Sequence, residues 1–199
     1  MSSLVYKPTQ LRGILDRLSF IPSWFLDVGV GVGGEALVAR ESWPSCSILG
    51  LEPSWAAYEA CRSFFPGTLL PVAAWMRKTK LEMWAVDTEL NGNLFGLETA
   101  ERAIVQADTL DNLSSTYRPF LDVFLWMDVE YAEPAVLLGS LKLFSEKRIK
   151  AVNFENHPPT VAPGKSLFVR DFLTWHGLQC IHEYEHEGGH HWDELWTLQ

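Results

Sequence analysis

The sequence predicts an α/β fold in which helices cover both faces of a mostly parallel sheet. Strand-like and helix-like segments alternate along most of the 199 residues, and this alternation is typical of βαβ units. Residues 121–127 form a nearly continuous apolar run, which suits a strand covered on both faces. Gly29, Gly31, Gly33 and Gly34 follow the first predicted strand and open a helix. Such a glycine turn lets the backbone approach a ligand closely.

The individual elements follow from apolar periodicity and from capping and turn signals. An N-terminal helix is predicted over 8–18, strands over 23–28, 46–51, 68–73, 121–127 and 149–154, and helices over 33–42, from Pro53, over 110–117, from Glu133 and over 165–176. Between the third and fourth strands, residues 81–86 and 103–107 are predicted as extended pieces around a polar loop at 87–96, with a helix over 97–105 as the alternative. Residues 178–186 and 191–198, around Gly188-Gly189, are predicted as a β-hairpin.

Length and composition indicate a single domain over 1–199, with a helical extension at 1–20 and a terminal hairpin at 178–199. A net charge of −9 argues against a nucleic-acid surface. No apolar run reaches the ~20 residues of a membrane span, and the first residues do not resemble a signal peptide. The three widely spaced cysteines are typical of a reduced, cytoplasmic protein.

Asp27 favours one of two interpretations of the glycine turn. Gly29, Gly31 and Gly34 match the dinucleotide pattern G-x-G-x-x-G, and Glu52 lies near the position of its ribose-binding acid. A carboxylate at Asp27 would, however, add like charge beside a pyrophosphate. S-adenosylmethionine (SAM) has no phosphate and carries an ammonium and a sulfonium, so the charge argument favours this methyl donor. An NAD site, or a tight turn that binds no ligand, remains as the alternative.

Four predicted strands end in an acid, namely Asp27, Glu52, Asp128 and Glu155. In an open parallel sheet, ligands bind outside the carboxyl ends of the strands. Any single acid at such a position is most often a helix cap or a solvated loop residue. The four together predict an acidic rim that suits a cationic ligand with ribose hydroxyls.

The motifs in this order resemble the class I SAM-dependent methyltransferases, and within that class the FkbM family. The matching pieces are FLDVGVGVGGE (25–35), LGLEPS (49–54), PVAAW (71–75), QADTLDNL (106–113), MDVEYAEPAVLLGS (127–140) and VNFENH (152–157). The most specific piece is the D-V-E-G-x-E helix start, where Tyr131 replaces the expected glycine. Gly31 stands where asparagine is common, and Gly139 matches a family glycine. The resemblance implies a Rossmann-like class I methyltransferase fold, with a mostly parallel seven-stranded sheet and a C-terminal hairpin.

The resemblance also implies cofactor-binding roles for eight residues. Those near the methionine part of SAM would be Asp27, Gly29, Gly31 and Gly33; Glu52 would accept bonds from the ribose hydroxyls; Pro53, Ala73 and Ala74 would flank the adenine. We expect a SAM-dependent methyltransferase that acts on a hydroxyl of a small molecule or a glycan. The alternatives are an NAD-binding oxidoreductase and a relative that binds SAM without catalysis.

A hydroxyl acceptor must lose its proton, which calls for a base or a metal. The candidate catalytic residues are Asp128, Glu130, Glu155 and His157. The positions of Asp128, Glu155 and Asn156 resemble the Mg²⁺ ligands of catechol-type methyltransferases, but we favour a site with no fixed metal. The histidines of the tail are predicted to lie on an exposed hairpin face and not to bind zinc; they are His182, His186, His190 and His191.

Overall fold

The computed structural model describes residues 8–85, 92–93, 101–117, 119–157, 164–185 and 191–199. The helices of this part of the chain are α1 (Pro8–Leu15), α2 (Gly34–Ser42), α3 (Trp55–Cys61), α4 (Leu110–Thr116), α5 (Glu133–Leu138), α6 (Leu141–Ser145) and α7 (Lys165–Trp175). The strands are β1 (Trp24–Val28), β2 (Ser47–Leu51), β3 (Thr68–Leu70), β4 (Val72–Ala74), β5 (Thr79–Ala85), β6 (Gly92–Asn93), β7 (Glu101–Asp108), β8 (Val123–Met127), β9 (Ile149–Asn156), β10 (Leu178–Glu185) and β11 (Trp192–Leu198). No helix among these residues is long and apolar enough to cross a membrane.

The main sheet has seven strands in the order β10-β11-β9-β8-β1-β2-β3. The five strands from β9 to β3 run parallel, while β11 pairs antiparallel with both β9 and β10. This arrangement confirms the predicted mostly parallel sheet and its C-terminal hairpin. The predicted turn of the hairpin, Gly188-Gly189, lies outside the described residues.

Both faces of the main sheet are buried under helices, as predicted. On one face, Leu26, Leu125 and Val152 pack with the buried side chains of α4 to α7. On the other face, Phe25, Phe124 and their neighbours pack against α1, α2 and α3. Successive strand residues point to opposite faces, so each parallel strand contributes to both cores. Helix α1 is shorter than predicted, but its apolar side is part of the second core.

A second, four-stranded sheet has the order β4-β7-β5-β6. The prediction of one strand over 68–73 is wrong, because the chain divides at Pro71 into β3 of the main sheet and β4 of the second. Proline has no N–H to donate to a strand ladder, which makes it a natural point for this change of sheet. Strands β5 and β7 confirm the two extended pieces, and over the described residues 101–105 the helical alternative is wrong. Residues 87–91 and 94–96 of the predicted loop lie outside the described residues.

The predicted helix beginning at Glu133 is divided at Gly139 into α5 and α6. A Cβ at Gly139 would lie 2.1 Å from the carbonyl oxygen of Trp75, which is far below any permitted contact. Glycine at this position therefore allows the helix end to pack against the segment that follows β4. The carboxylate of Asp111 accepts hydrogen bonds from the N–H groups of Lys142 and Leu143, at 2.9 and 3.0 Å, where α6 begins.

Candidate active site

The glycine turn lies between the ends of β1, β2 and β8, at the centre of the main sheet. The N–H of Gly29 donates to the carbonyl of Leu51 at 2.9 Å. Gly29 has a φ of 87°, and a Cβ there would lie 1.7 Å from the carbonyl oxygen of Asp128. Only glycine fits both requirements. At Gly31, by contrast, an added Cβ would meet no atom within 4 Å, so the backbone there borders open space that a ligand can occupy.

Glu52 follows β2 and is held by the backbone of the glycine turn. Its Oε2 accepts from the N–H of Gly31 at 2.8 Å, and its Oε1 accepts from the N–H of Ser54 at 2.7 Å. Burial raises the pKa of Glu52 to about 7, although these two N–H groups favour the ionised form. Each carboxylate oxygen has a further lone pair. The carboxylate of Glu52 thus keeps capacity to accept further hydrogen bonds, and its binding of ribose hydroxyls stays a prediction.

Asp27 lies inside β1 and is almost fully buried, at 1% exposure. Neither of its carboxylate oxygens has a hydrogen-bond partner among the described residues. Burial, and then repulsion by Glu35 and Glu52, raise the pKa of Asp27 well above its usual range. A buried carboxylate without a partner is costly, and a cation placed beside it would offset that cost. The residues at this turn therefore fit a ligand that carries an ammonium group.

The three residues expected near the adenine have different surroundings. Pro53 is half-buried between Glu52 and the start of α3. Ala73 and Ala74 lie in β4 and are each 6% exposed, Ala73 in the core of the second sheet and Ala74 in the main core. Their contact with adenine remains a prediction.

The four predicted catalytic residues converge beside the glycine turn. Asp128, Glu130 and Glu155 each offer a carboxylate oxygen within 4.8 Å of the other two. The Nε2 of His157 lies 3.5 Å from Oε2 of Glu155. A second imidazole, His191, places its Nε2 3.4 Å from Oε1 of the same carboxylate. Glu155 is therefore flanked by two histidines at the mouth of the site.

Asp128 follows β8 and is exposed, and several carboxylates lie close to its own. Partial desolvation, and then repulsion by Glu155 and Glu130, raise the pKa of Asp128 above its usual range. Glu35 and Asp193 add to this repulsion. The cleft thus carries a concentrated negative potential, which attracts cations.

Three residues of this site, His191, Asp193 and Glu35, were not predicted as site residues. The prediction of an exposed hairpin face is wrong for His191, which is half-buried beside Glu155. Asp193 pairs with Glu155 in the register between β11 and β9, and that register could not be predicted from a local sequence pattern. Glu35 lies within the FLDVGVGVGGE motif, where the first turn of a helix offers an ordinary explanation for an acid. His186 and His190 lie outside the described residues.

The set of ligands that resembles a catechol-type magnesium site does not assemble. Asn156 turns to the opposite face of β9 from Glu155, where its amide donates to Glu194 and its Oδ1 accepts from the Ser166 hydroxyl and, at 2.9 Å, from the N–H of His157. Because the Asn156 amide is fully engaged there, it has no oxygen to offer beside Asp128. The residues present do not fit that ligand set, and the preferred metal-free interpretation stays a prediction.

Tyr131 occupies a strained position next to the candidate bases. Glu130 and Tyr131 have φ values of 47° and 77°, a left-handed conformation that costs an L-residue about 1–2 kcal/mol. The centroid of the Tyr131 ring lies 4.8 Å from that of His157, and the Nζ of Lys165 lies 5.4 Å from the ring centroid. Lys165 forms a buried ion pair with Glu133 at 3.0 Å.

The sheet order and the site together define a Rossmann-like class I methyltransferase fold. The family described as "Methyltransferase FkbM domain" matches residues 27–184, and the chain therefore belongs to the FkbM methyltransferase family. Membership of this family implies the use of SAM. No curated protein matches the chain.

Three solved structures illustrate how the fold is shared. A methyltransferase FkbM from Methylobacillus flagellatus KT is 12% identical with a TM-score of 0.63, and the match covers 96% of this chain and 50% of that one. A precorrin-6y C5,15-methyltransferase from Geobacter metallireducens GS-15 is 13% identical with a TM-score of 0.55, over 100% and 92%. A magnesium protoporphyrin IX methyltransferase from Synechocystis PCC 6803, with bound SAM, is 10% identical with a TM-score of 0.54, over 96% and 77%. The chain spans half the length of the first of these, and at these identities the likeness concerns the fold alone.

Proposed function

We propose that this protein binds SAM at the glycine turn and transfers its methyl group to a hydroxyl oxygen of a small molecule or a glycan. The observation that carries the proposal is the pair of buried carboxylates at the turn. Asp27 has no hydrogen-bond partner among the described residues, and Glu52 is held by two backbone N–H groups. One suits an ammonium, and the other suits vicinal hydroxyls.

When bound, SAM supplies an electrophilic methyl group on a sulfonium. The chain's own contribution is to orient the two reactants, because an in-line displacement depends on alignment. Asp27 would balance the ammonium, Glu52 would accept the ribose hydroxyls, and the backbone at Gly31 would border the cofactor. The acceptor would then enter from the side of Asp128 and His157.

The proton of the acceptor hydroxyl needs a base, and His157 is the group that we assign to this role. An imidazole ordinarily titrates near neutral pH, so it accepts a proton and releases it easily. Glu155, 3.5 Å from the Nε2 of His157, would stabilise the imidazolium that forms. Asp128 and Glu130 would add to that stabilisation through their negative charge.

An NAD-binding oxidoreductase is disfavoured by the same two carboxylates. The pyrophosphate of a dinucleotide would lie against the glycine turn, and Asp27 and Glu52 would place negative charge beside it. A relative that binds SAM without catalysis would share the turn, and only a transfer assay separates it from an enzyme.

Titration calorimetry of the full chain with SAM and with NAD tests the binding step. We expect binding of SAM but not of NAD. Asp27→Asn should weaken SAM about 10- to 100-fold, which corresponds to the loss of a hydrogen bond to a charged group of about 1.5–3 kcal/mol. Asp16→Asn, a change in the turn that follows α1, is the matched control and should leave the affinity unchanged. No heat of binding at millimolar SAM would refute the proposal.

Transfer of a tritiated methyl group from SAM to a panel of sugars, phenols and carboxylates tests the second step. We expect the wild-type protein to transfer the methyl group to hydroxyls. We expect His157→Ala to abolish this transfer while SAM still binds. Binding without transfer to any member of the panel would favour the non-catalytic relative.

A further inference from the structure

Tyr131 is a bulky residue in a backbone conformation that favours glycine. Both Glu130 and Tyr131 have positive φ values, 47° and 77°. Residues in such conformations persist only where the surrounding contacts outweigh the strain, and they concentrate at functional sites. A glycine at position 131 would adopt the same backbone without strain. The backbone strain at position 131 is therefore a consequence of having the tyrosine side chain there.

The ring of Tyr131 contacts two groups of the site. His157 lies on one side, with ring centroids 4.8 Å apart, and the Nζ of Lys165 lies 5.4 Å from the centroid. Lys165 is itself fixed by Glu133, at 3.0 Å, and by the backbone carbonyl of Glu155, at 2.9 Å. Such anchoring gives the ring a defined position, as a wall of a binding site requires.

Tyr131 is half-buried, so part of its surface remains accessible to solvent. Burial, and then the charges of Glu130 and Glu155, raise the pKa of Tyr131. The hydroxyl thus keeps its proton, and the ring offers the acceptor a neutral, rigid surface. Because the ring is a neighbour of His157, an acceptor hydroxyl that approaches this base would come close to Tyr131.

We propose that Tyr131 is a specificity-determining residue whose ring limits the size of the acceptor. This inference rests on the proposed methyl transfer and deepens it. The ring fills a volume that glycine would leave open, so acceptors with a compact group next to the reacting hydroxyl are admitted and those with a bulky neighbouring group are excluded. The size of the ring, and not its hydroxyl, decides the preference.

Three variants of the full chain separate the ring from the backbone. Tyr131→Phe keeps the ring, Tyr131→Ala removes it and keeps the strained backbone, and Tyr131→Gly removes both ring and strain. Each is assayed for tritiated-methyl transfer to pairs of sugars and phenols that differ only in a bulky group beside the hydroxyl. Binding of the same compounds is measured by saturation-transfer NMR with S-adenosylhomocysteine present, and the dissociation constant of SAM is measured by calorimetry.

We expect the ratio of kcat/KM for bulky over compact acceptors to rise about tenfold or more in Tyr131→Ala and Tyr131→Gly, as for other changes of pocket size. In Tyr131→Phe that ratio should stay within about twofold of the wild-type value, and the SAM dissociation constant should be unchanged in all three. Thermal unfolding of Tyr131→Gly at a higher temperature than Tyr131→Ala would confirm that strain, separately from the ring, has been relieved.

An unchanged ratio in Tyr131→Ala and Tyr131→Gly overturns the proposal, as does an equal change in Tyr131→Phe. If the compounds bind with the expected ratios but no variant transfers a methyl group, the proposed hydroxyl methylation fails and the assignment of Tyr131 to an acceptor pocket stands. Absence of binding of every compound to every variant overturns the assignment of Tyr131 as well.

Discussion

Because the pKa of Glu52 is raised in the folded protein, we predict that the ligand-free protein becomes less stable as the pH rises toward 7. The ordinary value is 4.5, and burial raises the folded-state pKa of Glu52 to about 7. One pKa unit corresponds to about 1.4 kcal/mol. Ionising Glu52 in the folded chain therefore costs about 3 kcal/mol more than in the unfolded chain, a large fraction of a typical stability of about 5–15 kcal/mol.

The sign follows from proton linkage. Between pH 4.5 and about 7, the folded protein binds the Glu52 proton and the unfolded chain has already lost it. The free energy of unfolding consequently decreases as the pH rises through this window, and the contribution of Glu52 levels off above pH 7. Asp27, whose folded-state pKa is also raised by burial, acts in the same direction.

Glu52→Gln isolates the contribution of Glu52, because glutamine does not titrate. Urea unfolding of wild type and variant at pH 5.5 and pH 8 gives two free energies for each protein. We expect the loss between these pH values to be smaller in the variant by about 2 kcal/mol, even if the variant is less stable at pH 5.5 through loss of one hydrogen bond to Gly31 or Ser54. Equal losses in the two proteins would refute the reasoning.

Two further predictions concern packing around the same site. Gly29→Ala should lower the free energy of unfolding by about 3 kcal/mol or more, since its Cβ would lie 1.7 Å from the carbonyl oxygen of Asp128. Thermal unfolding should show a clearly smaller loss of stability for Gly31→Ala, where the space is open. Equal losses in the two variants would contradict the steric argument. Lys165→Met should lower the free energy of unfolding by about 3–5 kcal/mol, because it leaves Glu133 charged and buried. Adding Glu133→Leu should restore most of that stability in urea unfolding. A double variant no more stable than Lys165→Met would contradict the assignment of a buried ion pair.

Much of the fold was predictable because its elements are encoded by local patterns. The apolar run at 121–127 became β8, the glycine turn joined β1 to α2, and the tail formed the predicted hairpin. Each of these signals depends on side-chain periodicity or on backbone freedom within a few residues. The division at Pro71 was not predicted, because the local pattern of residues 68–73 indicates one extended segment. The two strands differ only in pairing, since β3 pairs with β2 and β4 pairs with β7.

The sequence by itself determined which acids lie at or near the carboxyl ends of the parallel strands, and therefore that Asp27, Glu52, Asp128 and Glu155 lie along one edge of the sheet, although Asp27 and Glu155 belong to β1 and β9 and do not follow them. Only the tertiary structure decided what surrounds them. The register of β11 against β9 brings Asp193 opposite Glu155, and the same hairpin places His191 against that carboxylate. Contacts of this kind join residues nearly 40 positions apart, and the strength of electrostatic repulsion depends on their distance and burial in space, which no local pattern encodes.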